Sequence, residues 1–147
     1  MRNISIIKAL TRHHDEMREL VKKIKKDKTK YILLKKHLDV HHELEEDLLL
    51  NLLNNKKGVK AESLESQEEH FVLNILLLDL ADFPKDHPRW MVKFKVLIEI
   101  LEHHLDEEEE DLFPEAEEHL SESQLNKLGK KFQELKDERL SIVMETK

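Results

Sequence analysis

The chain has no cysteine, only two glycines and three prolines, and few aromatics: five Phe, one Trp and one Tyr among 147 residues. Without cysteine it can form no disulfide, no thiolate metal site and no cysteine nucleophile. With so little Gly, Pro and aromatic material, a sheet lacks both its turns and its packing residues. Long apolar runs are missing too. No stretch approaches the roughly 18 residues of a membrane span, and Met1-Arg2-Asn3-Ile4-Ser5 has no apolar signal core, so a cytoplasmic protein without a membrane partner is expected. A basic excess is also absent. The net charge is −7, whereas a surface that tracks phosphates needs the opposite sign, so nucleic acid is not an expected partner. The one basic stretch, Lys22, Lys23, Lys25, Lys26, Lys28 and Lys30, reads as a solvated helix end where cations complement the dipole.

What remains is mostly Leu, Glu and Lys, with charged and apolar residues each at 39%. That balance suits long helices with one apolar and one charged face. Five segments repeat their apolar positions every three or four residues. The first reads Ile7, Leu10, His14, Met17, Val21, Ile24 and is expected from about Asn3, as N-cap, to about Lys26. The second reads Leu34, Leu38, His41, Glu45, Leu48, Leu52 and stops before the turn Asn54-Asn55-Lys56-Lys57-Gly58. The third follows Ser63 with His70, Leu73, Leu77 and Leu80, and ends before Pro84 and Pro88. The fourth reads Phe94, Leu97, Leu101, His104, Glu108, Leu112 and reaches Pro114. A last helix follows Ser121 or Ser123, with Gln124 fitting a capping box and Leu125, Leu128, Phe132 and Leu135 facing inward. The expected fold is all-α: an up-down-up-down four-helix bundle with an additional short C-terminal helix, as a single domain over residues 1–147.

Four histidines, His14, His41, His70 and His104, stand in these stripes where a core residue belongs. Glu45 and Glu108 follow two of them by four residues, which puts each carboxylate on the same face of the helix as its histidine. Buried imidazoles and carboxylates need partners, and a pair of cations satisfies all six. Neighbours on a helix differ by about 100° in direction, so only one member of each His-His pair points down the seam. His42 and His103 therefore fall beside it, either behind the ligands or on the surface. His13 lies off the register of His14. His37, one turn before His41, is the leading extra ligand. Six protein ligands leave coordination positions open on two octahedral ions, which marks a reactive site rather than a closed structural one. Trp90 reads as a packing anchor, Met17 as seam packing, and Glu107 to Asp111 as a solvated run from which only Glu108 turns inward.

The stretches Leu10-Thr11-Arg12-His13-His14, His41-His42-Glu43-Leu44-Glu45-Glu46 and Glu69-His70, and then His103-His104 through the glutamate run to Phe113-Pro114, resemble the hemerythrin-like, or HHE cation-binding, family. The resemblance covers essentially the whole chain. It implies a bundle enclosing two non-heme irons, with ligands on His14, His41, Glu45, His70, His104 and Glu108; manganese or zinc are the alternative metals for such donors. Two departures set it apart from the oxygen carriers. Asn74 stands where those have a second histidine on the third helix, and Glu109 stands where they have an aspartate. The pattern is more similar to the bacterial, archaeal and regulatory branch.

The resemblance and the open positions together imply binding or sensing of a small diatomic, O2 or NO. A redox enzyme or iron-handling protein (peroxide removal, oxidase-like chemistry, iron-sulfur repair) is the alternative, with repair disfavoured by the lack of cysteine. A ferritin-like site needs Glu three residues before His, and none of the ten histidines has it. The remaining alternative is a structural bundle whose histidines only hydrogen-bond in the core.

Overall fold

The computed structural model describes residues 4–145, and every element within them is helical. Helix α1 spans Ile6–Ile24. Its N-cap is Ser5, whose hydroxyl accepts from the Ile7 N–H at 3.1 Å; Asn3, the expected cap, lies outside the described residues. Lys22 and Lys23 occupy the last turn and are exposed, as the dipole favours. After a short 3-10 turn at Lys28–Lys30, α2 runs through Tyr31–Glu45 and continues to Leu53. Gly58, at φ 101°, makes the turn that follows, a backbone conformation glycine adopts without a Cβ clash.

Helix α3 spans Lys60–Ala81 and starts before Ser63, the expected boundary. Ser63 sits inside the first turn and donates its hydroxyl to the Leu50 carbonyl at 2.9 Å, tying α3 to the end of α2. Helix α4 spans Arg89–Glu107 and continues to His119, passing Pro114 rather than stopping there. A π turn at Glu108–Leu112 explains this. Phe113 N–H reaches back five residues to Glu108, and Pro114 falls in the first turn of the α segment that resumes, where a missing N–H is tolerated.

Helix α2 carries the same device, a π turn at Glu46–Leu50 directly after Glu45. The extra residue shifts the inward stripe: Leu53 is fully buried, while Leu52, the expected seam position, is only partly so.

Helix α5 spans Glu122–Glu145, 24 residues, further than its four inward positions alone require. Ser121 and Gln124 cap it reciprocally, backbone N–H to side chain, at 3.0 and 3.1 Å. The short turns run the four main helices antiparallel, and α5 lies along α1 and α2. There Gly129 sits so close to the chain's start that a Cβ would come within 1.9 Å of the Ile4 carbonyl oxygen.

The interior holds two apolar regions. One gathers Ile6, Leu10, Leu44, Leu49, Leu53, Phe113 and Phe132. The other gathers Met17, Leu34, Leu38, Leu73, Leu77, Trp90, Phe94 and Leu101. Trp90 stacks on Phe94 at 5.4 Å and Tyr31 meets its edge at 5.6 Å, so the expected anchor packs as a cluster. Along α1, α2 and α4 the inward stripe passes from one region to the other near its histidine: Leu10 and Met17 flank His14, Leu38 and Leu44 flank His41, and Leu101 and Leu112 flank His104. A polar layer therefore crosses the bundle at mid-height.

Candidate metal centre

That layer contains His14, His41, Glu45, His70, His104 and Glu108, all buried and drawn from four helices. Their ligand atoms form two overlapping groups, His14, His41, Glu45, Glu108 and Glu45, His70, His104, Glu108, each compact enough for one ion. The groups share both carboxylates. Glu108 Oε1 lies 3.3 Å from His14 Nε2, while its Oε2 lies 3.4 Å from His104 Nε2 and 3.7 Å from His70 Nε2. Glu45 presents Oε1 to His70 Nε2 at 2.9 Å and Oε2 to His41 Nε2 at 3.8 Å. Each carboxylate thus turns one oxygen to each histidine pair, the disposition of a bridge.

The outer ring nitrogens are held from behind. His14 Nδ1 meets Glu109 at 2.7 Å, His70 Nδ1 meets Glu46 at 2.8 Å, and His104 Nδ1 meets Glu69 at 2.6 Å. A carboxylate only accepts, so Nδ1 carries the proton and the inward Nε2 of a neutral ring carries a lone pair. His41 is held differently: its Nδ1 meets His13 Nδ1 at 2.8 Å, and His13 Nε2 meets His37 Nδ1 at 2.9 Å. Arg18 bonds Glu109 at 2.9 Å and steadies that carboxylate in turn. Ser66 donates to Glu108 Oε2 at 2.7 Å.

Six buried atoms in the layer have neighbours but no partner in hydrogen-bond geometry: the Nε2 of His42, His70 and His104, both oxygens of Glu45, and Glu108 Oε1. Lone pairs that converge unpaired suit a cation, and imidazole with carboxylate suits iron, manganese or zinc. Protons compete for the same electron pairs. Burial pulls His14 down, but the carboxylates of Glu108 and Glu109 beside it outweigh that and raise its pKa to about 9. His70 is raised well above the usual imidazole value because Glu108, Glu45 and Glu46 overcome the burial that lowers it. Glu45 is raised to about 7, first by burial and then by the Glu108 charge. Burial, with neighbouring His14, holds His41 well below its usual value.

The histidine neighbours divide. His103 is exposed and pairs with Glu107 at 2.7 Å on the surface. His42 is buried and converges with His70 and His104, against the expectation of a residue beside the seam. His13 is fully buried behind His41, and His37 bonds His13 rather than joining the six. Glu46 and Glu69 went unread in the sequence because they reach histidines on neighbouring helices; their only local signal is direct adjacency to Glu45 and His70. Between α3 and α4 a cleft of about 100 Å³, lined by Glu62, Glu65, Glu69, Glu107 and Asp111, reaches Ser66 and Glu108 from outside.

No helix among the described residues is long and apolar enough to cross a membrane. A family model described as the hemerythrin HHE cation binding domain matches residues 5–116. No curated protein and no solved structure matches the chain. The family match and the His/Glu clusters fit a metal-binding helical protein.

Proposed function

Because the chain belongs to the hemerythrin HHE cation-binding family, we propose that it is a non-heme di-iron protein that binds or senses O2 or NO at positions its own side chains leave open. The observation that carries this reading is the pair of carboxylates, each turning one oxygen to His14 and His41 and the other to His70 and His104. On this reading His14, His41, Glu45, His70, His104 and Glu108 are the ligands, and the irons supply Lewis acidity and electrons toward a diatomic molecule. Glu109, Glu46 and Glu69 fix the ring tautomers and aim the inner nitrogens. The apolar regions above and below exclude bulk water, and the acidic cleft that reaches Glu108 gives small ions and molecules a way in. Since α5 packs along α1 and α2 beyond the matched segment, residues 1–147 are read as one domain; a cytoplasmic setting is part of the same proposal.

The acidic cleft favours a second reading, iron handling, because carboxylates attract and pass on divalent cations. Anaerobic loading with ferrous iron separates them. The sensing reading expects about two irons per chain and a change of optical spectrum on adding O2 or NO. Two irons with no spectral response to either gas would refute it, and rapid transfer of iron to a competing acceptor would favour handling.

A further inference from the structure

The two histidine pairs are unequal, and the difference lies in His42. Position 74, one turn after His70, is an exposed asparagine, so α3 offers a single inward imidazole. His42 comes from α2 into the space beside it. Its ring lies parallel to that of His70, with centroids 3.9 Å apart and planes at 15°, and meets His104 edge-on at 5.9 Å and 87°. Stacking does not satisfy ring nitrogens: His42 Nε2 has no hydrogen-bond partner, and the Nε2 atoms of His70 and His104 have only the carboxylates of the layer beside them, none in hydrogen-bond geometry. Ligand nitrogens of these three lie within 4.8 Å of one another. Consecutive residues on α2 point about 100° apart. His41 accordingly faces His14, at 4.8 Å between rings, while His42 faces His70.

We propose that His42 is a fifth imidazole donor, on the cation held by His70 and His104, so that the second histidine of α2 does what position 74 of α3 does not. This rests on the two-cation reading above. It makes the cations inequivalent: His42, His70 and His104 serve one, His14 and His41 the other, with Glu45 and Glu108 common to both.

The test is stepwise titration of metal-free protein with Co(II), followed by metal content and d–d absorption, in the wild type, His42→Phe and His103→Phe. Phenylalanine keeps the stack on His70 and deletes both nitrogens, and His103 is the exposed control. The wild type and His103→Phe are expected to take two ions. His42→Phe is expected to take one ion with unchanged affinity and the other at least about tenfold more weakly, with altered absorption confined to the weaker ion. Two ions of unchanged affinity and absorption in His42→Phe overturn the proposal while the two-cation reading stands. Fewer than two ions in the wild type overturn both. If circular dichroism shows that His42→Phe has lost helix, the wild type decides: five imidazole spin systems shifted by Co(II) in NMR support the proposal, and four overturn it.

Discussion

Chelating bound metal out of the folded protein is expected to lower its melting temperature by about 4–24 °C. Six buried nitrogen and oxygen atoms of His42, His70, His104, Glu45 and Glu108 have no protein partner in hydrogen-bond geometry. Each unsatisfied buried polar atom costs about 1–3 kcal/mol, so the layer alone sums to roughly 6–18 kcal/mol, as much as the whole stability of an ordinary domain. Water and protons drawn in after chelation offset most of that. If about a third survives, some 2–6 kcal/mol is lost, and a chain of this size melts about 2–4 °C lower per kcal/mol. Circular dichroism melts of iron-loaded, chelator-treated and reloaded protein at one pH measure the shift. Coincident melts for the loaded and stripped forms would refute the reasoning, because they would mean that the histidines and carboxylates satisfy one another without metal.

Cation affinity is expected to fall as pH falls. Burial lowers His14, but the carboxylates of Glu108 and Glu109 prevail and put it at about 9, and burial then the Glu108 charge put Glu45 at about 7. Both groups hold protons near neutrality in the metal-free protein, and an ion must displace them, so affinity rises with pH until His14 has titrated; chelator competition across that range checks this, and a flat profile contradicts it. Glu69→Gln replaces the acceptor at 2.6 Å from His104 Nδ1 with an amide and is expected to weaken cation binding roughly 10- to 100-fold while leaving the fold intact; metal content after dialysis against a graded chelator reads it. Gly129→Ala puts a methyl where the Ile4 carbonyl lies 1.9 Å away, so the chain's start must move off α5, at about 1–3 kcal/mol. A lowered urea midpoint with unchanged metal content is the expected pair of results, and an unchanged midpoint would show that the close approach is not needed.

The sequence made the inward histidines legible because a 3-4 stripe registers direction, and direction separates His14 from His13 and His104 from His103. His42 shows the reach of that logic: the stripe puts it beside the seam, and in the fold consecutive residues of α2 face different neighbours, His41 toward His14 and His42 toward His70. The π turns after Glu45 and Glu107 also escaped a reading that assumes one period. A trace was present in Leu48-Leu49-Leu50, three consecutive buried residues that no single α stripe can hold. Caps were mixed: the Ser121 and Gln124 box formed as expected, whereas Ser63 went to a carbonyl of α2 that only tertiary contact reveals. His13, Glu46 and Glu69 act across helices, and no periodicity within one helix encodes a partner on another.

The polar layer also decides how the bundle comes apart. Each apolar region by itself is the core of only part of the chain, and a domain of about 60 residues is already marginal on its own. Helices α1, α2 and α4 thread both regions, and the donor atoms between them come from all four main helices. Ions seated there act as a rivet through the stack: neither end can open without breaking bonds in the middle. Loaded protein should therefore exchange its amide hydrogens in one cooperative unit, and stripped protein should split at the histidines, with the end around Ile6, Leu53 and Phe113 exchanging independently of the end around Trp90 and Leu77. That outcome would make metal content and folding cooperativity a single variable.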